Sequence, residues 1–269
     1  MIFNKKQPRS VKAVRGEKKL IVGNWKMNPQ TVLEARKLFL AIKKEAGNFR
    51  RVDTVMCPPF VFLGDLAPRI SGQKCVLGSQ NVFFEEAGAF TGEISAPMLQ
   101  SLRAKYAIVG HSERRAMGET DGVISKKISA GIKAGLTIIL CIGEKERDAE
   151  CAYLQILKEQ IIDSLSGVPK ESLSKIVIAY EPVWAIGAKA TGVATPEALL
   201  ETIIFIRKIL SDLYDQPSAH AMKILYGGSA DETNAGSFMR DGGANGLLVG
   251  RASLDAKKFI EIVKIADSL

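Results

Sequence analysis

A chain of 269 residues that is 46% apolar and 25% charged has the composition of a globular protein with a sizeable core, which excludes a fibrous or low-complexity chain. No apolar run approaches the roughly 20 residues needed to cross a bilayer, so no membrane partner is expected. The formal charge of +8 is concentrated: Lys5, Lys6, Arg9, Lys12, Arg15, Lys18 and Lys19 stand against Glu17 alone in the first 19 residues, and the other 250 carry only +2, so no nucleic-acid-binding face is expected on the folded part.

Residues 1–19 read as a solvated basic extension ahead of one catalytic domain, 20–269. The extension lacks the apolar segment of a secretory signal; a transit peptide is the alternative, and a weak, salt-sensitive attraction to RNA or a membrane surface stays open for it. A first apolar run, 20–25, is predicted to be a strand that exits at Asn24 and Lys26, which share a face if the extended geometry persists. A helix is expected over 31–45, with Val32, Ala35, Leu38, Phe39 and Ile42 on one side. Strands follow at 54–57, at 75–80 with Asn81 at its exit, and at 106–110, which delivers His111. Ser112 reads as the N-cap of a following helix and Glu113 as an acid in its first turn. A helix from Asp121 or Gly122 to Ala134 stops at Gly135, and a strand over 136–142 leads to Glu144. After a helix over 153–165 comes a strand over 176–180, then Glu181 and Pro182.

Pro182 biases Glu181 toward extended backbone, so its carboxylate is aimed at the rim of a sheet, and the glycine-containing stretch 185–195 behind it has the composition of a lid. Taken alone, Glu181 reads more readily as a surface carboxylate at a strand end than as a base. A helix over 198–213 and strands over 223–226 and 246–249 complete the chain; the last two strands end in Gly227-Gly228-Ser229 and Gly250-Arg251. His220, before the seventh strand, reads as a surface residue.

Strands alternating with helices imply parallel strands with right-handed crossovers. Eight such units predict an α/β fold, a single closed (β/α)₈ barrel with outer helices; an open doubly wound sheet is the alternative. In such a barrel the C-terminal strand ends carry the chemistry, and here those ends gather Asn24, Lys26, Asn81, His111, Glu144, Glu181 and the two glycine pairs. Glu181 is the candidate general base. A His at a helix N-terminus is disfavoured as a cation, so His111 is expected to be neutral and to donate to a developing oxyanion. Lys26 supplies positive charge for an anionic substrate, and the glycine pairs supply backbone N–H groups for a phosphate. No dinucleotide fingerprint, P-loop or metal-ligand spacing occurs, so neither cofactor nor metal is expected. Cys57, Cys75, Cys141 and Cys151 form no C-x-x-C pair, and a reducing cytoplasm is the simplest compartment.

Six segments carry a resemblance: Gly23-Asn24-Trp25-Lys26-Met27-Asn28, Gly88-Ala89-Phe90-Thr91-Gly92-Glu93, Val109-Gly110-His111-Ser112-Glu113-Arg114-Arg115, Cys141-Ile142-Gly143-Glu144, Tyr180-Glu181-Pro182-Val183-Trp184-Ala185-Ile186-Gly187 and Tyr226-Gly227-Gly228-Ser229. In this order, from about residue 20 onward, the chain resembles the triosephosphate isomerase family. The resemblance implies interconversion of dihydroxyacetone phosphate and D-glyceraldehyde 3-phosphate through an enediolate, in glycolysis and gluconeogenesis. It implies Glu181 as base, neutral His111 as electrophile, Lys26 and Asn24 as stabilisers of negative charge, and Glu113 as support. Backbone amides at Gly187, Ser229, Gly250 and Arg251 would hold the phosphate. Thr91 would lie in a protruding loop that reaches a partner's active site, so a homodimer is implied. Two departures stand out: the stretch Gly187–Pro196 is longer than the family's usual lid, and Arg251 replaces the second glycine of an eighth-strand Gly-Gly pair.

Overall fold

The computed structural model describes residues 18–72, 74–148, 150–187 and 190–269. Residues 1–17 of the basic extension, and Ala188 and Lys189 of the lid, lie outside the described residues. Eight strands run in chain order: β1 Lys19–Asn24, β2 Val52–Cys57, β3 Cys75–Ser79, β4 Ala104–Val109, β5 Thr137–Ile142, β6 Ile176–Tyr180, β7 Lys223–Tyr226 and β8 Gly246–Val249. Each pairs in parallel with the next, and β8 pairs with β1 from Leu20↔Gly246 to Gly23↔Val249, so the sheet is a closed barrel and not an open one.

The helices are α1 Val32–Ala46, α2 Phe60–Leu66, α3 Ala96–Ser101, α4 Ser112–Ala116, α5 Asp121–Lys133, α6 Ala152–Ser164, α7 Pro196–Leu213, α8 Gln216–Ala221, α9 Ala235–Arg240 and α10 Ala256–Ser268. Their starts are set by side chains that accept otherwise unpaired N–H groups. Thr31 caps α1 with Glu34 completing a reciprocal box, Thr120 caps α5, Thr195 caps α7 and Asp255 caps α10. Gly135, at φ 81°, follows the end of α5 as expected. His220 is exposed in α8.

Alternation along the strands divides the core in two. Val22, Val55, Cys57, Ile108, Ile139, Cys141, Val177, Ala179, Leu225 and Leu248 fill the barrel interior. Ile21, Met56, Leu77, Ala107, Val109, Ile138 and Leu140 face outward against α1, α5 and α10, where Phe39, Ile128 and Phe259 meet them. Of the four cysteines, Cys57, Cys75 and Cys141 are buried and Cys151 is exposed; none is paired.

Barrel closure leaves no room at one point. A Cβ on Gly246 would lie 1.9 Å from the Leu20 carbonyl oxygen, and backbone cannot yield as a flexible side chain does. Gly246→Ala is therefore expected to cost at least about 3 kcal/mol, at the upper end of overpacking effects, which corresponds to a fall in melting midpoint of roughly 6–12 °C for a chain of this size. Thermal unfolding followed by circular dichroism tests this; a midpoint within about 2 °C of the unsubstituted protein would show that the β1–β8 seam is not tightly closed.

Candidate active site

The exit of β1 is not a continued strand. Asn24 is buried, and its Oδ1 accepts the N–H of Lys26 at 3.0 Å. Lys26 turns into the left-handed region with φ 54°, so it reaches the rim through a turn and not, as the extended pattern predicts, from the same strand face as Asn24. A left-handed non-glycine residue costs about 1–2 kcal/mol. Gln80 helps hold it: its Nε2 donates to the carbonyls of Lys26 at 2.8 Å and Cys57 at 2.9 Å, two donors matched to two acceptors. The sequence reading placed Gln80 as the last residue of a strand and missed this role. The Lys26 Nζ meets Glu113 Oε1 at 2.6 Å, and a Cβ on Gly250 would lie 3.5 Å from Lys26 Cε, which puts the cation beside the β8 loop.

At the exit of β4, Gly110 (φ 71°) turns the chain and His111 follows, buried. The expected N-cap, Ser112, is instead the first residue of α4; the cap is His111 itself, whose Nδ1 accepts the N–H of Glu113 at 3.2 Å. Only an unprotonated Nδ1 can accept, so this bond fixes the tautomer with hydrogen on Nε2. That Nε2 lies 3.0 Å from Oε1 of Glu181, and the freed N–H of Ser112 donates to Glu181 Oε2 at 2.8 Å.

Glu181 is 2% exposed, and its backbone is fixed where its N–H donates to Ile142 at 2.8 Å. Glycine is required on both sides of it. A Cβ on Gly143 would fall 1.8 Å from the Glu181 carbonyl oxygen, and one on Gly227 would fall 2.9 Å from its Cγ. Burial pushes the carboxyl pKa up, but His111 and the Ser112 N–H outweigh it, and the net direction is down. Burial pushes the imidazole pKa down, and the Glu181 carboxylate overcomes that, so the net direction is up.

Two strand-end residues take structural parts. Asn81 Oδ1 accepts from the buried ammonium of Lys127 at 2.8 Å, and Lys127 in turn lies 3.0 Å from Glu119. Glu144 is fully buried, and its Oε1 accepts from Tyr180 Oη and Trp184 Nε1, both at 2.7 Å, and from Arg147 at 3.2 Å. It anchors Trp184, just ahead of the stretch expected to act as a lid. Farther along, Thr191 N–H donates to the Trp184 carbonyl at 2.8 Å, and Ser229 Oγ donates to the Ala185 carbonyl at 2.9 Å. Gly187 is exposed at φ 72°. Arg251 opens a 3₁₀ turn, Arg251–Leu254, and is not among the left-handed residues, so its backbone is one that arginine adopts without strain.

Thus Asn24, Lys26, His111, Glu113 and Glu181 are in direct contact as a chain of polar groups, Gly250 is adjacent to Lys26, and Ser229 is tied to the lid. Thr91 shares in none of these contacts; it sits in the exposed stretch 85–93, whose Phe90 packs on Phe83 with ring centroids 4.9 Å apart. A buried carboxylate beside an imidazole N–H, with a cation at the edge, suits abstraction of a proton from carbon next to a carbonyl. Among the described residues no group of three or more His, Cys, Asp or Glu is arranged to hold a metal.

A family model described as triosephosphate isomerase matches residues 19–266. A triosephosphate isomerase of Aquifex aeolicus is 45% identical over 248 residues, 91% of this chain and 98% of the relative. One of Endomicrobium trichonymphae is 43% identical over 250 residues, 92% of this chain and 98% of the relative. One of Dehalococcoides mccartyi is 43% identical over 249 residues, 92% of this chain and 96% of the relative.

The His111–Glu181 contact sets a titration. With the carboxylate in place, the imidazole is expected to titrate above its ordinary 6.5. In Glu181→Gln, burial and the Glu113 N–H remain while the attraction is gone, so the midpoint should fall relative to the unsubstituted protein. The chain has 2 histidines, so carbon-detected NMR of labelled imidazoles resolves both; an unchanged His111 midpoint would deny the coupling.

Proposed function

The chain belongs to the triosephosphate isomerase family and interconverts dihydroxyacetone phosphate and D-glyceraldehyde 3-phosphate, the family's step in glycolysis and gluconeogenesis, and from that premise we propose how its rim does so. The observation that carries the reading is the buried Glu181 within hydrogen-bond reach of a His111 whose tautomer is fixed by Glu113 N–H.

Without substrate, Glu181 rests on two donors, His111 Nε2–H and Ser112 N–H. The substrate carbonyl oxygen takes the place of the carboxylate at Nε2–H, which releases Glu181 toward the carbon. Glu181 removes a proton from C1 of dihydroxyacetone phosphate, the C2 oxygen gains negative charge, and His111 donates to it. The imidazole then takes the proton of the C1 hydroxyl, and Glu181 returns its proton to C2. Gly227, with no side chain beside Glu181 Cγ, leaves room for that carboxylate to move.

Lys26 and Asn24 stabilise the enediolate. The Lys26–Glu113 pair is half exposed, and such pairs are worth about 0–1 kcal/mol, so a phosphate dianion draws the ammonium away at little cost. Amides of Gly187, Ser229, Gly250 and Arg251 receive the phosphate as the lid folds down from its Trp184–Glu144 anchor, excluding water that would otherwise promote phosphate loss.

The active form in this reading is a homodimer. The exposed 85–93 loop carries Thr91, and beside Glu113 lies a cavity of about 210 Å³ bordered by Met27, Asn81, Arg114 and Met117. Met27 and Met117 are 86% and 73% exposed, which leaves apolar surface for the loop of a second copy to cover. A cytoplasmic enzyme is supported by four free cysteines, and no helix among the described residues is long and apolar enough to cross a membrane.

Turnover of D-glyceraldehyde 3-phosphate, coupled to NADH oxidation by glycerol-3-phosphate dehydrogenase, tests the base: Glu181→Gln should lower kcat by about 10²–10⁴. A near-normal kcat would remove Glu181 from its role. Thr91→Arg should shift sedimentation toward a monomer and lower kcat with it; a dimeric, fully active variant would reject the loop as the joining element.

A further inference from the structure

A second concavity lies at the N-terminal face of the barrel, opposite the rim that carries Glu181. It has a volume of about 370 Å³ and is lined by Ile70, Gly72, Val76, Arg103 and Lys105. A register shift lies beside it: Leu77 pairs with Ala104 and Gly78 with Tyr106, so Lys105 is the unpaired residue of a bulge in β4. Arg103, just before β4, is held at φ 60°, a conformation that costs about 1–2 kcal/mol in a non-glycine residue. Gly72, on the opposite wall, has open space where a Cβ would stand.

The charge around it is unbalanced. Among the described residues neither the Arg103 guanidinium nor the Lys105 ammonium has a hydrogen bond or an ion pair. Lys74, Arg50 and Arg51 stand along the same face, where backbone bonds from Thr54 to Lys74 and from Lys19 to Arg51 hold the strand starts side by side. Their side chains are likewise without carboxylate partners among the described residues. Carboxylates offset part of the charge along this strip but do not line the cavity: Asp53 pairs with Lys18, and Asp267 accepts the backbone N–H groups of Arg50 and Arg51. Two cations without partners, Arg103 and Lys105, line a cavity with an apolar floor and raise the local potential for an anion.

We propose that this cavity is a second ligand site, for a small organic phosphate monoester: the phosphate sits between Arg103 and Lys105, and an apolar body lies on Ile70 and Val76. The volume falls at the small end of the roughly 300–1,000 Å³ typical of ligand sites. The guanidinium offers the paired donors that a phosphate takes in bidentate fashion, and the lysine adds a point charge.

Phenyl phosphate is the probe, titrated into the full chain at low ionic strength with the Ile and Val methyl groups labelled for NMR. Reading Ile70 and Val76 separates this site from phosphate bound at the active rim. Their methyl signals are expected to shift saturably, and the affinity is expected to fall about tenfold or more in Arg103→Gln/Lys105→Gln. The kcat of that variant should stay within about twofold of the unsubstituted protein, since neither side chain is part of the catalytic rim. Phenol, which keeps the ring and lacks the dianion, should leave both signals in place. Unmoved Ile70 and Val76 methyls up to about 10 mM probe, equal affinity in the variant, or equal binding of phenol would each overturn the proposal.

Discussion

Everything in this molecule depends on the β8–β1 seam. A parallel sheet that closes on itself has no free edge, and all eight carbonyl ends point the same way. One rim therefore collects the groups that leave the strands, however far apart they lie in the chain. Asn24 and Lys26 leave β1, His111 leaves β4 and Glu181 leaves β6, yet they form one connected set of contacts. Glycines at Gly143, Gly227 and Gly246 permit the close approaches that this convergence requires.

The convergence creates an electrostatic problem that the structure meets locally. A carboxylate as deeply buried as Glu181 is strongly disfavoured unless something compensates for lost water. His111 and the Ser112 amide supply that compensation, and removing one partner from such a buried pair typically costs about 3–5 kcal/mol. Glu181 is thereby favoured as the carboxylate, held by donors on two neighbouring residues. Two influences on the His111 ring oppose one another: the Glu113 N–H on Nδ1 favours the neutral ring expected at a helix start, and the Glu181 carboxylate pulls its pKa up.

Much of this was legible in the residues. All eight strands lie where β-branched runs predict them, because barrel strands buried on both faces read as near-continuous apolar segments. Some first residues were not: β2 begins at Val52 and β4 at Ala104, with Asp53 and Lys105 interrupting the apolar pattern at the solvent-facing start of each strand. The strand ends name Asn24, Lys26, His111 and Glu181 as candidates, a rule that follows from topology, and the structure brings these four together. What local pattern could not carry was the role of side chains whose partners lie far away in the chain. Gln80 holds Lys26 across 54 positions, and Glu144 anchors Trp184 across 40, so Gln80 passed for a strand residue and Glu144 for a member of the rim. Likewise the left-handed turn at Lys26 has no glycine to announce it.

The disposition of the thiols has a practical side. Cys57 and Cys141 point into the barrel interior, and Cys75 lies beneath the helices with its pKa pushed up by burial to about 12. Burial likewise raises the other two, and for Cys141 the neighbouring Glu181 adds to it. Thiolate, the form that attacks alkylating and disulfide reagents, is scarce at all three positions while the strands stay together. Cys151 alone is open to solvent, at the start of α6. A thiol reagent is thus a two-speed clock on this protein: one equivalent is consumed at the surface, and the remaining three only as fast as the barrel itself comes apart, with Cys141 reporting from directly beside the Glu181 carboxylate.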